Sequence, residues 1–109
     1  MEEIKVGEYV RTKDGDLFIL ENIIDNEVIP RGIYLPYAVW KDDIVKHSPN
    51  IIDLIEEGDY VNGEKVLHIN KCLYGGEKVI ITELNHSIFD NMIDDIVTKE
   101  QFNQVKYEV

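Results

Sequence analysis

Apolar and polar positions alternate along this chain in short runs, and turn residues separate the runs. From Ile4 to Val10, Ile4, Val6 and Val10 share one face and Tyr9 takes the other. Gly7 interrupts them, so the run reads as a short opening strand with a turn or bulge at the glycine. Lys13-Asp14-Gly15-Asp16 signals a turn. Leu17 to Ile24 follows as a longer strand, and Val28-Ile29 starts a third that Pro30 confines to an edge or an end. Arg31 to Trp40 is rich in aromatics, but Gly32 and Pro36 argue for an irregular strand and loop. Lys41 to His47 reads as a polar corner leading into a closing strand, and Asn50 to Ile55 as a helical or 3₁₀ connector after Pro49.

The second half repeats this plan. Asn62-Gly63 is a tight-turn pair, Lys65 to Ile69 a strand and Gly75-Gly76 a hairpin. Lys78 to Glu83 is the clearest β run. Asn85 to Asn91 is a polar loop, Asp94 to Val97 a closing strand, and Thr98 with Gln101 forms a capping-box pattern that predicts a helical turn. Val105 to Val109 alternates and predicts a last strand. The repetition is visible in the letters. Ile4-Lys5-Val6-Gly7-Glu8-Tyr9-Val10 returns as Ile55-Glu56-Glu57-Gly58-Asp59-Tyr60-Val61, and Asp42-Asp43-Ile44-Val45 returns as Asp94-Asp95-Ile96-Val97. Matched blocks in the same order and at nearly the same spacing indicate an internal duplication.

Short strands, tight turns and a closing helical turn in each half predict a mostly β protein of two tandem, pseudo-symmetric SH3-like small barrels. The first would span residues 1–49 and the second 50–109, packed as one compact unit, because so small a half buries only a marginal core by itself. One continuous β-sandwich built from the same strands is the alternative.

Charge changes the functional picture more than the fold. The 109 residues hold 22 acids against 11 bases, a net charge of −11. Residues 1–54 hold 11 acids and residues 55–109 hold 11, so no acidic tail carries the excess. A nucleic-acid backbone requires a basic face, and none is evident, so direct nucleic-acid binding is not expected. Basic runs for membrane surfaces and long apolar spans are also missing. The acidic surface suits a basic partner, including a nucleic-acid-binding cleft that it would occupy as a DNA mimic. A single cysteine, Cys72, excludes an intrachain disulfide and reads as a small buried apolar residue at a strand end. With no signal-peptide pattern at Met1 to Lys5, the expected setting is cytoplasmic.

No nucleophile motif, phosphate loop or Cys/His dyad is present, so neither enzyme activity nor a cofactor is expected. His47, His68 and His86 have no metal-ligand spacing, and His68 reads as a partly buried strand residue. The pairs Asp42/Asp43 and Asp94/Asp95 occupy equivalent corners, where Asp serves turn chemistry. Arg31, Tyr34, Tyr37 and Trp40 are the binding candidates, since aromatics and arginine are common interface anchors. Equally, Tyr37 and Trp40 could fill the barrel core or the contact between the halves.

Gly58-Asp59-Tyr60-Val61-Asn62-Gly63 and Ile96-Val97-Thr98-Lys99-Glu100-Gln101-Phe102, with the Tyr107-Glu108-Val109 ending, resemble small phage- and prophage-encoded proteins of low-GC Gram-positive bacteria. The resemblance covers most of the second half and implies an accessory, anti-defence role of the anti-CRISPR type, in the cytoplasm of a host cell. It brings no catalytic pattern. Three readings follow. In the first, an inhibitor binds a host defence effector through Arg31, Tyr34, Tyr37 and Trp40, aided by Asp42, Asp43, Glu56 and Glu57. In the second, a sponge sequesters a signalling nucleotide using Arg11, Arg31, Lys41 and Lys46, at an oligomer interface. In the third, a tandem SH3-like adaptor has no defence role. A homodimer stays open as the assembly.

Overall fold

The computed structural model describes residues 3–71 and 76–107, the stretch 104–107 by its backbone alone. Cys72 and one glycine of the Gly75-Gly76 hairpin lie outside the described residues. The protein is mostly β, with two antiparallel sheets and a few helical turns. It divides into two compact units, residues 1–54 and 55–109.

In the first unit, β1 (Tyr9–Thr12), β2 (Leu17–Ile24), β3 (Glu27–Pro30) and β4 (Ile44–Ser48) form a sheet of order β3-β2-β1-β4. The edge position of β3 suits Pro30, which has no N–H to give to a ladder. A 3₁₀ turn over Lys41–Asp43 leads into β4, and another follows over Ile51–Leu54. The second turn belongs to the first unit, so the division falls after Leu54 rather than after Pro49. Ile52 and Leu54 are buried there, and the Leu54 carbonyl accepts a 2.9 Å hydrogen bond from Arg11 Nη1.

In the second unit, β5 (Tyr60–Val61), β6 (Glu64–Lys71), β7 (Lys78–Thr82), β8 (Ser87–Ile88) and β9 (Ile96–Val97) take the order β8-β7-β6-β5-β9. A 3₁₀ turn over Asp90–Met92 precedes β9, and helix α1 (Lys99–Tyr107) follows it.

The duplication read in the sequence is present in the hydrogen bonds. Gly7 and Gly58 both take positive φ, +91° and +94°, which a side chain would strain. Gly7 N–H donates to the Leu20 carbonyl at 2.9 Å, and Gly58 N–H to the Val66 carbonyl at 3.0 Å. In return Leu20 N–H donates to Glu8 C=O and Val66 N–H to Asp59 C=O, both at 2.8 Å. The register shifts immediately after each of these residues, between Leu20 and Asn22 and between Val66 and His68. Equivalent bulges therefore bend the long second strand of both units. Buried residues correspond as well: Val10 with Val61, Leu20 with Val66, Val28 with Ile80 and Val39 with Ile88. Each such side chain contributes roughly 1.5–3 kcal/mol by leaving water.

Four expectations change. Closed barrels are not formed: among the described residues no ladder joins β3 to β4 or β8 to β9. In the first unit the chain leaves the ladder at Pro30 and returns only as an isolated Trp40–Glu27 bridge, while β8 and β9 are too short to close the second. The opening strand starts only at Tyr9, because the positive-φ turn at Gly7 separates it from Ile4 to Val6, and Val6 is exposed. Residues 105–107, read as a strand, continue α1, while 108–109 lie outside the described residues. His68, read as partly buried, is exposed beside the bulge in β6.

Candidate functional site

The core of the first unit is filled by Ile4, Val10, Phe18, Leu20, Val28, Val39 and Ile44. That set includes none of the aromatics of the 31–40 loop, although Val39 of the same loop belongs to it. Tyr34 is 90% exposed, Tyr37 48% and Trp40 49%. The alternative in which Tyr37 and Trp40 fill the core does not hold.

The local sequence explains the arrangement. Pro30, Gly32 and Pro36 prevent a regular ladder between β3 and Trp40, so the intervening chain arches away from the sheet. Val39 and Leu35 turn inward as anchors, and the residues between and beside them face outward. The loop is pinned at several points. Val28 N–H donates to Val39 C=O at 2.8 Å, and Lys41 N–H to Asn26 C=O at 2.8 Å. Asp43 Oδ2 accepts the Trp40 N–H at 3.0 Å, and Asp43 Oδ1 lies 3.1 Å from Lys13 Nζ. The Tyr37 hydroxyl donates to Asp16 Oδ2. That bond to a carboxylate, with burial, pushes the Tyr37 phenol up to about 12. Two shallow depressions, about 200 Å³ and about 280 Å³, adjoin the loop and share Glu27, Tyr34, Leu35 and Tyr37 in their walls.

The other nominated residues are placed differently. Arg31 Nε is 2.5 Å from Glu21 Oε2, an exposed ion pair. Asp42 is exposed, whereas Asp43 is committed to the 3₁₀ turn, and the Trp40 N–H and Lys13 together hold its carboxyl below the usual range. Glu56 pairs with Lys99 at 2.8 Å, while Glu57 is exposed. Arg31, Tyr34, Tyr37, Trp40, Asp42 and Asp43 therefore all belong to the first unit, where Tyr34 and Tyr37 share depression walls with Glu27 and Trp40 forms a bridge to it. Sequence reasoning did not single out Glu27. Glu56 and Glu57 belong to the other unit.

Two of the basic residues nominated for a nucleotide are engaged within the chain. Arg11 is buried and bonded to a carbonyl, and Arg31 is paired. Histidines take up local carboxylates: His47 Nδ1 lies 3.0 Å from Glu8 Oε1, and His86 Nδ1 lies 2.7 Å from Glu64 Oε1. Among the described residues no three His, Cys, Asp or Glu side chains group to hold a metal ion. Among them, too, no helix is long and apolar enough to cross a membrane. No protein family, curated protein or solved structure matches the chain.

Proposed function

We propose that the chain is a protein-binding inhibitor, without chemistry of its own, that docks on a basic host protein through the Tyr34–Trp40 face. The carrying observation is that three aromatic side chains stand exposed on a loop pinned by hydrogen bonds while the core is complete without them. Large exposed aromatics on a rigid support make effective anchors, because little conformational freedom is lost on binding. The charge of −11 supplies long-range attraction to a basic surface such as a nucleic-acid-binding cleft. In this reading each unit is an SH3-like module, supported by a strand meander, a 3₁₀ turn and a last strand that returns beside the first. The resemblance to phage-encoded proteins gives the role: inhibition of a bacterial defence effector inside the host cell. An adaptor with no defence role would use the same face. Glu27 in the groove wall and the burial of Arg11 disfavour a nucleotide as ligand, since a carboxylate repels phosphate.

Affinity capture from lysate of a low-GC Gram-positive host tests the reading, with the parent chain and a Tyr34→Ala/Trp40→Ala variant compared at low and high salt. Recovery of a nucleic-acid-binding protein by the parent at low salt, lost at high salt and in the variant, is expected. Equal recovery by parent and variant would remove the aromatic face from the mechanism.

A further inference from the structure

Glu27 opens β3 directly across from Ile24 on β2 and, on its other side, from Trp40. Directly opposed residues of antiparallel strands share a face of the sheet. The row therefore sets one carboxylate between two apolar side chains that are each about half exposed. Glu27 also lines both depressions beside Tyr34 and Tyr37. Of the acids around it, Glu21 holds Arg31, Asp43 holds Lys13 and the Trp40 N–H, and Asp16 holds the Tyr37 hydroxyl, whereas Asp25 and Asp42 are exposed and line neither depression. Glu27 is partly buried as a residue, and its carboxylate has no hydrogen-bond or ion-pair partner among the described residues.

A carboxylate with no partner, set beside aromatic rings, attracts a cation. The faces of the tyrosine rings attract the same cation. A planar guanidinium meets both demands, since it can bond a carboxylate through two N–H groups and stack on a ring, which an ammonium cannot. We propose that this groove receives one arginine side chain of the protein partner, its guanidinium on Glu27 and its flat face against Tyr34. The inference rests on the protein-binding reading and specifies what that partner must present.

The test is an NMR titration of the ¹⁵N-labelled full chain with N-acetyl-arginine amide, beside N-acetyl-lysine amide and the uncharged isostere N-acetyl-citrulline amide. Arginine amide should give saturable shifts confined to Glu27, Val28, the 33–39 loop and the Trp40 indole N–H; citrulline amide should give none. Glu27→Gln, which keeps size and ladder position, should weaken arginine binding about tenfold, and Tyr34→Ala about threefold, with thermal unfolding unchanged in both. Absence of saturable shifts, equal shifts with citrulline, or full affinity in Glu27→Gln overturns the proposal. Lysine binding as tightly as arginine overturns the choice of guanidinium. Capture of a host protein is read separately. Capture undiminished in Glu27→Gln, with no arginine binding, removes the arginine site and leaves the protein-binding reading standing. Arginine binding without capture has the opposite meaning.

Discussion

At the scale of single residues, equivalent positions of the duplicated frame have acquired different tasks. Asp59 is fully buried and accepts two backbone N–H bonds, from Glu56 at 2.7 Å and from Lys99 at 2.9 Å, so it joins the opening turn to the start of α1. Its counterpart Glu8 accepts the Lys5 N–H at 2.7 Å and contacts His47. Arg11 is spent on structure, 1% exposed, with its guanidinium on the Leu54 carbonyl. Arg11→Leu should cost about 1.5–3 kcal/mol, as expected when a charged donor leaves a buried acceptor unmet, and urea unfolding measures it. Tyr37 gives a spectroscopic test. A phenol raised from 10.0 to about 12 stabilises the fold fully below the ordinary value and loses that contribution as pH rises through about 12. An absorbance titration should show one late tyrosine, and Asp16→Asn should return it toward 10.0. Sequence composition could nominate Tyr34, Tyr37 and Trp40 but not tell surface from core, since that depends on which other side chains fill the interior. Glu27 was invisible for a similar reason. One glutamate at a strand start means nothing until its cross-strand neighbours and its lack of a partner are known.

Elements were most legible where turn chemistry fixes the backbone. Asn62 and Gly63 take φ of +53° and +82°, the tight turn that their types demand. The capping box is formed as read: Gln101 N–H donates to Thr98 Oγ1 at 3.3 Å, and Thr98 N–H donates to Gln101 Oε1 at 3.1 Å. Thr98→Ala should therefore cost about 1 kcal/mol and reduce helical circular dichroism, while Thr98→Ser should preserve both. What failed was the alternation from Val105 onward. A short alternating run carries little weight against a helix already nucleated at Thr98 and tied down by Lys99 on Asp59 and by Phe102 stacking on Tyr60 at 4.7 Å. Barrel closure was equally hidden, because it depends on how far β3, β8 and β9 extend, and neither turn residues nor periodicity measure that.

For the whole molecule, charge sets both stability and reach. Burial tends to raise the Glu8 carboxyl, but the Lys5 N–H and His47 outweigh it and hold it low. The Thr82 hydroxyl and His86 hold Glu64 low, and the Trp40 N–H and Lys13 do the same for Asp43. Carboxyls lowered on folding stabilise above their unfolded values, and that contribution disappears as pH falls through the folded ones. Melting temperature should thus hold from pH 7 to about 5 and decline below about 4; no decline by pH 3 would contradict these pairings. In the proposed reading, acids spread evenly over both units make association with a basic partner fast and salt-sensitive. Asp42 and Glu57 are the clean positions for charge reversal, since reversing Asp43 or Glu56 also breaks the pair with Lys13 or Lys99. The central claim is that the exposed aromatic loop is where a protein partner sits. A photo-cross-linking residue placed at Tyr34, and a control at the exposed Leu84 of the second unit, tests it directly in host lysate. Position 34 should yield one discrete adduct with a basic protein, competed by unlabelled parent chain, and position 84 should not. No adduct at 34, or the same adducts at both positions, would contradict the account.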